Sequence, residues 1–132
     1  MKSQFITELH AHLKPGRDDE IWVLDSPLIY YSASLKREIK VPTAFETDLS
    51  SVPRIPLVYL LWGGRAHYEG VLHDYEFRID ADPCLSFMGA NWIFLESMIA
   101  RGKRFYVKYP MYSGVVAGGY WSYHKRKVGD SL

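Results

Sequence analysis

Between Phe45 and Arg78 the chain reads FETDLSSVPRIPLVYLLWGGRAHYEGVLHDYEFR. Asp48 follows a strand, Pro53 and Pro56 fragment what comes next, and at most a short helix fits between Ile55 and Leu61 before Gly63 and Gly64 end it. Beyond them Tyr68, Val71, Leu72 and Tyr75 recur at spacings of three and four, which predicts a longer helix starting near Arg65 with those side chains as its buried stripe. Asp80, Asp82 and Pro83 close it. This strand-to-helix junction also holds most of the residues that could do chemistry: Asp48, Ser50, Ser51, Arg54, His67, His73, Asp74 and Arg78.

Upstream, Ile21 to Leu24 and Leu28 to Tyr31 are short β-prone runs separated by Asp25, Ser26 and Pro27, and Lys36 to Val41 alternates as a half-buried strand does. The first fourteen residues have weak strand or extended character, and Pro15 and Gly16 open a loop. Downstream, Phe87, Met88, Trp92, Leu95 and Ile99 predict a helix over 85–100, with Ser86 as its cap and Gly102 as its stop. Arg104 to Tyr109 alternates like a strand until Pro110, Tyr112 to Tyr123 reads as helical, and the polar tail from about residue 124 is expected to fray. Strands first and helices afterwards is an α+β order: a small antiparallel sheet from the N-terminal half, with three or so helices packed on one side of it in a single domain.

Composition agrees with one domain, since 132 residues at 48% hydrophobic and 15% aromatic can bury a core. A net charge of +1 gives no whole-molecule field to recruit nucleic acid or an anionic membrane. The basic run Lys125, Arg126, Lys127 is read as a solvated tail. Cys84 is the single cysteine, which excludes an intramolecular disulfide and a Cys-rich zinc site. The longest apolar run, Ile55 to Trp62, is too short to span a bilayer, so a soluble protein of the cytoplasm is expected.

The string VPTAFETDLSSVPR, followed by HYEGVLHDYEFR, resembles the phage-associated domain-of-unknown-function family 1353, whose members carry a pattern like VPxGFxTDxASVPR and then YxxAxxLHDxLY. The match is close from Val41 to Phe77 and looser through ANWIFLESM and PMYSGVVAGG. The resemblance implies a small soluble protein encoded by a tailed phage or prophage, located in the host cytoplasm or on the virion, with other phage proteins or a host factor as partners. Two positions depart from the pattern: Ala44 stands where glycine is usual, and Asn91 where the downstream helix often has aspartate.

Two readings of the junction are open. In the first, Asp48, Ser51, Arg54, His73 and Asp74 form a hydrolase-like site: Ser51 as nucleophile, His73 as base, Asp48 or Asp74 as orienter, and Arg54 forking onto an anionic group of a cell-wall or nucleotide-like substrate. A metal variant would draw on His73, Asp74, Asp48 and His67, a donor set suited to zinc or manganese, although no HExxH or three-His pattern is present. In the second, Asp48 makes an Asx turn, Ser51 caps a helix, and the remaining residues form a structural polar network in a non-catalytic virion, tail-assembly or host-factor-binding protein. Ordinary helix pairing accounts for Glu69 with His73 and for Asp74 with Arg78, each four residues apart. His73 and Asp74 themselves point about 100° apart on a helix.

Overall fold

A computed structural model describes residues 1–16, 21–47, 67–103, 105–118 and 123–132. The architecture is α+β: two small antiparallel three-stranded sheets followed by three helices. The strands are β1 (Gln4–Phe5), β2 (Ala11–Leu13), β3 (Trp22–Leu24), β4 (Leu28–Ser32), β5 (Arg37–Val41) and β6 (Glu46–Thr47), and the helices are α1 (His67–Glu76), α2 (Phe87–Ala100) and α3 (Phe105–Gly118). The short helix read over 55–61 lies outside the described residues.

One sheet runs in the order β1-β4-β5, the other β2-β3-β6. Alternation sets the first: in the register that pairs Leu28 with Val41 and Tyr30 with Ile39, all four side chains are buried on one face. In the second, Trp22 pairs with Thr47, which fixes the end of β6. Between β5 and β6 the chain turns through Ala44 at φ 69, whose N–H donates to the Leu24 carbonyl at 2.8 Å. That left-handed backbone favours glycine over any residue with a Cβ, which explains why the related pattern has glycine there.

Val71, Leu72 and Tyr75 of α1 join Leu24, Leu28, Tyr30, Phe45 and Ile93 in the main core, as the three-and-four spacing predicted, and Tyr68 packs against it partly buried. What the spacing did not show is that α1 is buried nearly all round. Glu69, His73 and Glu76 flank the apolar stripe on a polar side where solvent would be expected, and all three are buried as well.

Helix α2 covers α1. Its N-cap is Ser86, whose hydroxyl accepts from the Gly89 N–H at 3.0 Å, and Gly102 ends it at φ 71, both as expected. Its buried face differs from expectation. Leu95 of the expected pattern is buried, but Ala90, Asn91, Ile93, Phe94, Ser97 and Met98 face inward with it, while Met88, Trp92 and Ile99 are half exposed. The helix is apolar on almost every side, so periodicity could not choose a face.

Helix α3 is a further correction, because 105–109 is helical rather than extended and the helix runs through Pro110. An interior proline costs about 3 kcal/mol. The opposing gain is the packing of Tyr112 and Val115 against Phe94, Leu95 and Met98 in a second apolar cluster. After the last helix, residues 123–132 return to the body of the protein. The His124 N–H donates to the Phe77 carbonyl at 2.8 Å, the Arg126 carbonyl accepts from Ile79 N–H at 2.9 Å, and the Val128 N–H donates to Asp80 Oδ1 at 2.7 Å.

Candidate functional site

Of the five residues of the hydrolase-like constellation, Asp48, Ser51 and Arg54 lie outside the described residues. His73 and Asp74 are described, and they turn to different partners.

Asp74 faces the sheets. Its Oδ2 accepts from the hydroxyl of Thr47, the last residue of β6, and from Arg78 Nη2 at 3.1 Å. Arg78 is the hub: the same Nη2 donates to the Glu46 carbonyl at 3.0 Å, and Nη1 donates to the Lys127 carbonyl at 3.2 Å. Its guanidinium lies 4.9 Å from the centre of the Phe45 ring, which in turn meets Tyr75 edge-on. Arg78 is 2% exposed and Asp74 3%. A buried carboxylate and guanidinium bonded to each other and to two further chain segments, β6 and the C-terminal stretch, hold those segments in register, because removing either leaves the other charge desolvated. The four-residue spacing revealed the Asp74–Arg78 pair. It gave no sign of Thr47, Glu46 or Lys127.

His73 faces α2. The ring lies between Phe77 and Phe94, with centroids at 4.1 and 4.8 Å, and Nε2 is 2.7 Å from Asn91 Oδ1. An acceptor on Nε2 puts the ring proton there, leaving Nδ1 as a bare acceptor. Neither that nitrogen nor Asn91 Nδ2 has a hydrogen-bond partner among the described residues. Burial disfavours the imidazolium and lowers the pKa to about 4, although the bond to Asn91 acts in the other direction. His73 is therefore neutral near pH 7.

The expected Glu69–His73 pairing is replaced. Glu69 reaches instead to Arg101 just beyond α2, at 3.3 Å, and the Arg101 guanidinium lies 4.0 Å over the Tyr68 ring. Burial raises the Glu69 pKa, with Arg101 acting against it. Glu76, which the sequence did not single out, is fully buried, and neither carboxyl oxygen has a hydrogen-bond partner among the described residues. Burial pushes its pKa up to about 8, against the pull of Arg37. Its signal was present in the spacing, since Glu69, His73 and Glu76 follow one another at four and three residues.

As for metal ligands, His67 is exposed at the start of α1, its ring 6.4 Å from that of Trp22. Among the described residues no group of three or more His, Cys, Asp or Glu side chains could hold a metal ion. No described helix is long and apolar enough to cross a membrane.

These features define an α+β protein whose sheets and first helix are joined by a buried Thr–Asp–Arg clasp. The chain belongs to the family described as Protein of unknown function (DUF1353), whose model matches residues 22–115, from β3 into α3. Neither the curated proteins nor the solved structures compared with it give a significant match.

Proposed function

We propose that this protein is a non-catalytic component of a phage or prophage, acting in the virion, in tail assembly or on a host factor, and that His73 and Asp74 serve its architecture. The observation that carries this reading is the commitment of both side chains inside the fold. His73 is 1% exposed with its protonated nitrogen bonded to Asn91, and Asp74 is bonded to Thr47 and Arg78. A general base must reach the proton that it removes, and a depressed pKa with no access does not supply that. The family pattern then has a structural meaning. Its TD and HD elements occur where β6 meets α1, and here Thr47 and Asp74 tie the two together.

The hydrolase-like reading has one observation in its favour. Asp48 directly follows Thr47, so the stretch carrying Asp48, Ser51 and Arg54 starts at the bond to Asp74. Assays on peptidoglycan and on nucleotides separate the two, using wild type, Asp48→Ala, Ser51→Ala and His73→Gln. Expected is no turnover by any form, with His73→Gln lowering the melting temperature. Turnover by wild type that disappears in Asp48→Ala or Ser51→Ala at unchanged melting temperature would overturn the structural reading.

A further inference from the structure

Glu76 has no task in the clasp, and its surroundings suggest one. At the last position of α1 it is 0% exposed, with both oxygens unpartnered among the described residues. A carboxylate cannot be held that way without a large desolvation penalty, so the closed structure is one of the protonated acid.

The charged groups that act on it are Arg37, at the start of β5, and Asp82, in the loop after α1. Those two already form a solvent-facing ion pair at 3.3 Å, with side chains 44% and 82% exposed. From α1 itself the neighbouring titratable group is Tyr75, whose hydroxyl accepts from the Asp82 N–H at 3.1 Å and donates to the Asp82 carbonyl at 3.4 Å. Asp80 follows the helix and is held through its carboxylate by the Val128 N–H. Loop 77–86 is thus fastened at Asp82 by Arg37 and Tyr75, and at Ile79 and Asp80 by the returning C-terminal segment.

We propose that Glu76 is a proton-operated release for loop 77–86: when it loses its proton, Arg37 exchanges Asp82 for Glu76, and the loop is left held at Asp82 by Tyr75 alone. An exposed ion pair contributes little to stability, so it is weak enough to be surrendered to a desolvated carboxylate that needs a counter-charge. The guanidinium is suited to the exchange because it stays charged across the whole range.

The sign follows from linkage. Glu76 binds its proton more tightly in the closed form, so opening becomes more favourable as pH rises from the ordinary glutamate value towards the closed-form value, and levels off above it. Per proton released, the opening equilibrium changes by up to about tenfold per pH unit.

The test is amide hydrogen exchange of Ala81 and Asp82 between pH 5 and 8, corrected for intrinsic rates, in wild type and in Glu76→Gln. Wild type should lose protection by up to about tenfold per pH unit at these amides while α2 amides hold theirs, and Glu76→Gln should be flat. The same pH slope in both proteins would overturn the proposal. Should Glu76→Gln not fold, the wild-type Glu76 carboxyl carbon can be titrated directly by NMR. A midpoint well above the ordinary glutamate range, moving together with the loop amide shifts, supports the release. A midpoint in the ordinary range overturns it.

Discussion

The two polar sides of α1 are equally buried and differently satisfied. On the side that faces the sheets, Asp74 and Arg78 meet Thr47, Glu46 and Lys127, and only Arg78 Nε lacks a partner among their side-chain atoms. On the other side, with His73 against α2 and Glu76 near Arg37 and Asp82, His73 Nδ1, Asn91 Nδ2 and both Glu76 oxygens have no hydrogen-bond partner among the described residues. A satisfied network rigidifies and specifies a fold, whereas unpartnered groups in the same low dielectric cost free energy that varies with protonation. Stability should therefore depend on the first side by contact and on the second side by pH.

The largest effect should come from breaking the satisfied side. Asp74→Ala leaves Arg78 buried without its counter-charge and is expected to cost about 3–5 kcal/mol, read as a fall in the urea midpoint. Acid and base should then separate the groups of the other side. Glu76 has its folded pKa raised, so its stabilising contribution is complete below the ordinary value of 4.5 and is lost as pH rises to about 8. His73 has its folded pKa lowered, so its contribution is complete above 6.5 and is lost as pH falls to about 4. Between pH 4.5 and 6.5 the slopes of Glu76 and His73 oppose each other, and from 6.5 to 8 that of His73 is gone while that of Glu76 continues. Wild type should thus be nearly level in the first window and lose stability in the second. Glu76→Gln should remove the alkaline loss, gaining on the order of 3 kcal/mol over wild type at pH 8, and should uncover the acid slope of His73. Calorimetric melting temperatures across pH 4.5 to 8 check both halves.

A smaller change sharpens the comparison without breaking anything. Asn91→Asp removes the orphaned Nδ2 and puts a carboxylate beside His73 Nε2, so the His73 pKa should rise by about one unit or more, read from imidazole nitrogen shifts. Smallest of all, Ala44→Gly relieves a Cβ at φ 69 and should stabilise by about 0.5–1 kcal/mol, visible as a melting temperature a few degrees higher.

Legibility in the sequence followed the range of the interactions. β4 and β5 could be read because alternation is local, and the apolar face of α1 could be read because its spacing is local too. The pair Asp74–Arg78 belongs to the same class. Thr47 and the carbonyls of Glu46 and Lys127 come from remote segments, and no spacing rule connects them to Arg78. The polar face of α1 misleads for a related reason: Glu69, His73 and Glu76 flanking an apolar stripe look solvated until remote segments lie over them. In α2 the difficulty is reversed, since Met88, Trp92 and Ile99 are as apolar as the residues that are buried. Of the five residues of the candidate site, His73 and Asp74 fall among the described residues. Their adjacency in sequence placed them about 100° apart on the helix, but not which partners each would meet, Thr47 and Arg78 for Asp74 and Asn91 for His73.

The most direct measurement is a double-mutant cycle on the clasp, with urea unfolding of wild type, Thr47→Val, Asp74→Asn and the double variant. Both single substitutions should destabilise, and the double should be less destabilised than their sum by about 0.5–3 kcal/mol, because the two residues act through one bond. Additive single effects with near wild-type stability in all three variants would contradict the structural role and return Asp74 to the candidates for catalysis.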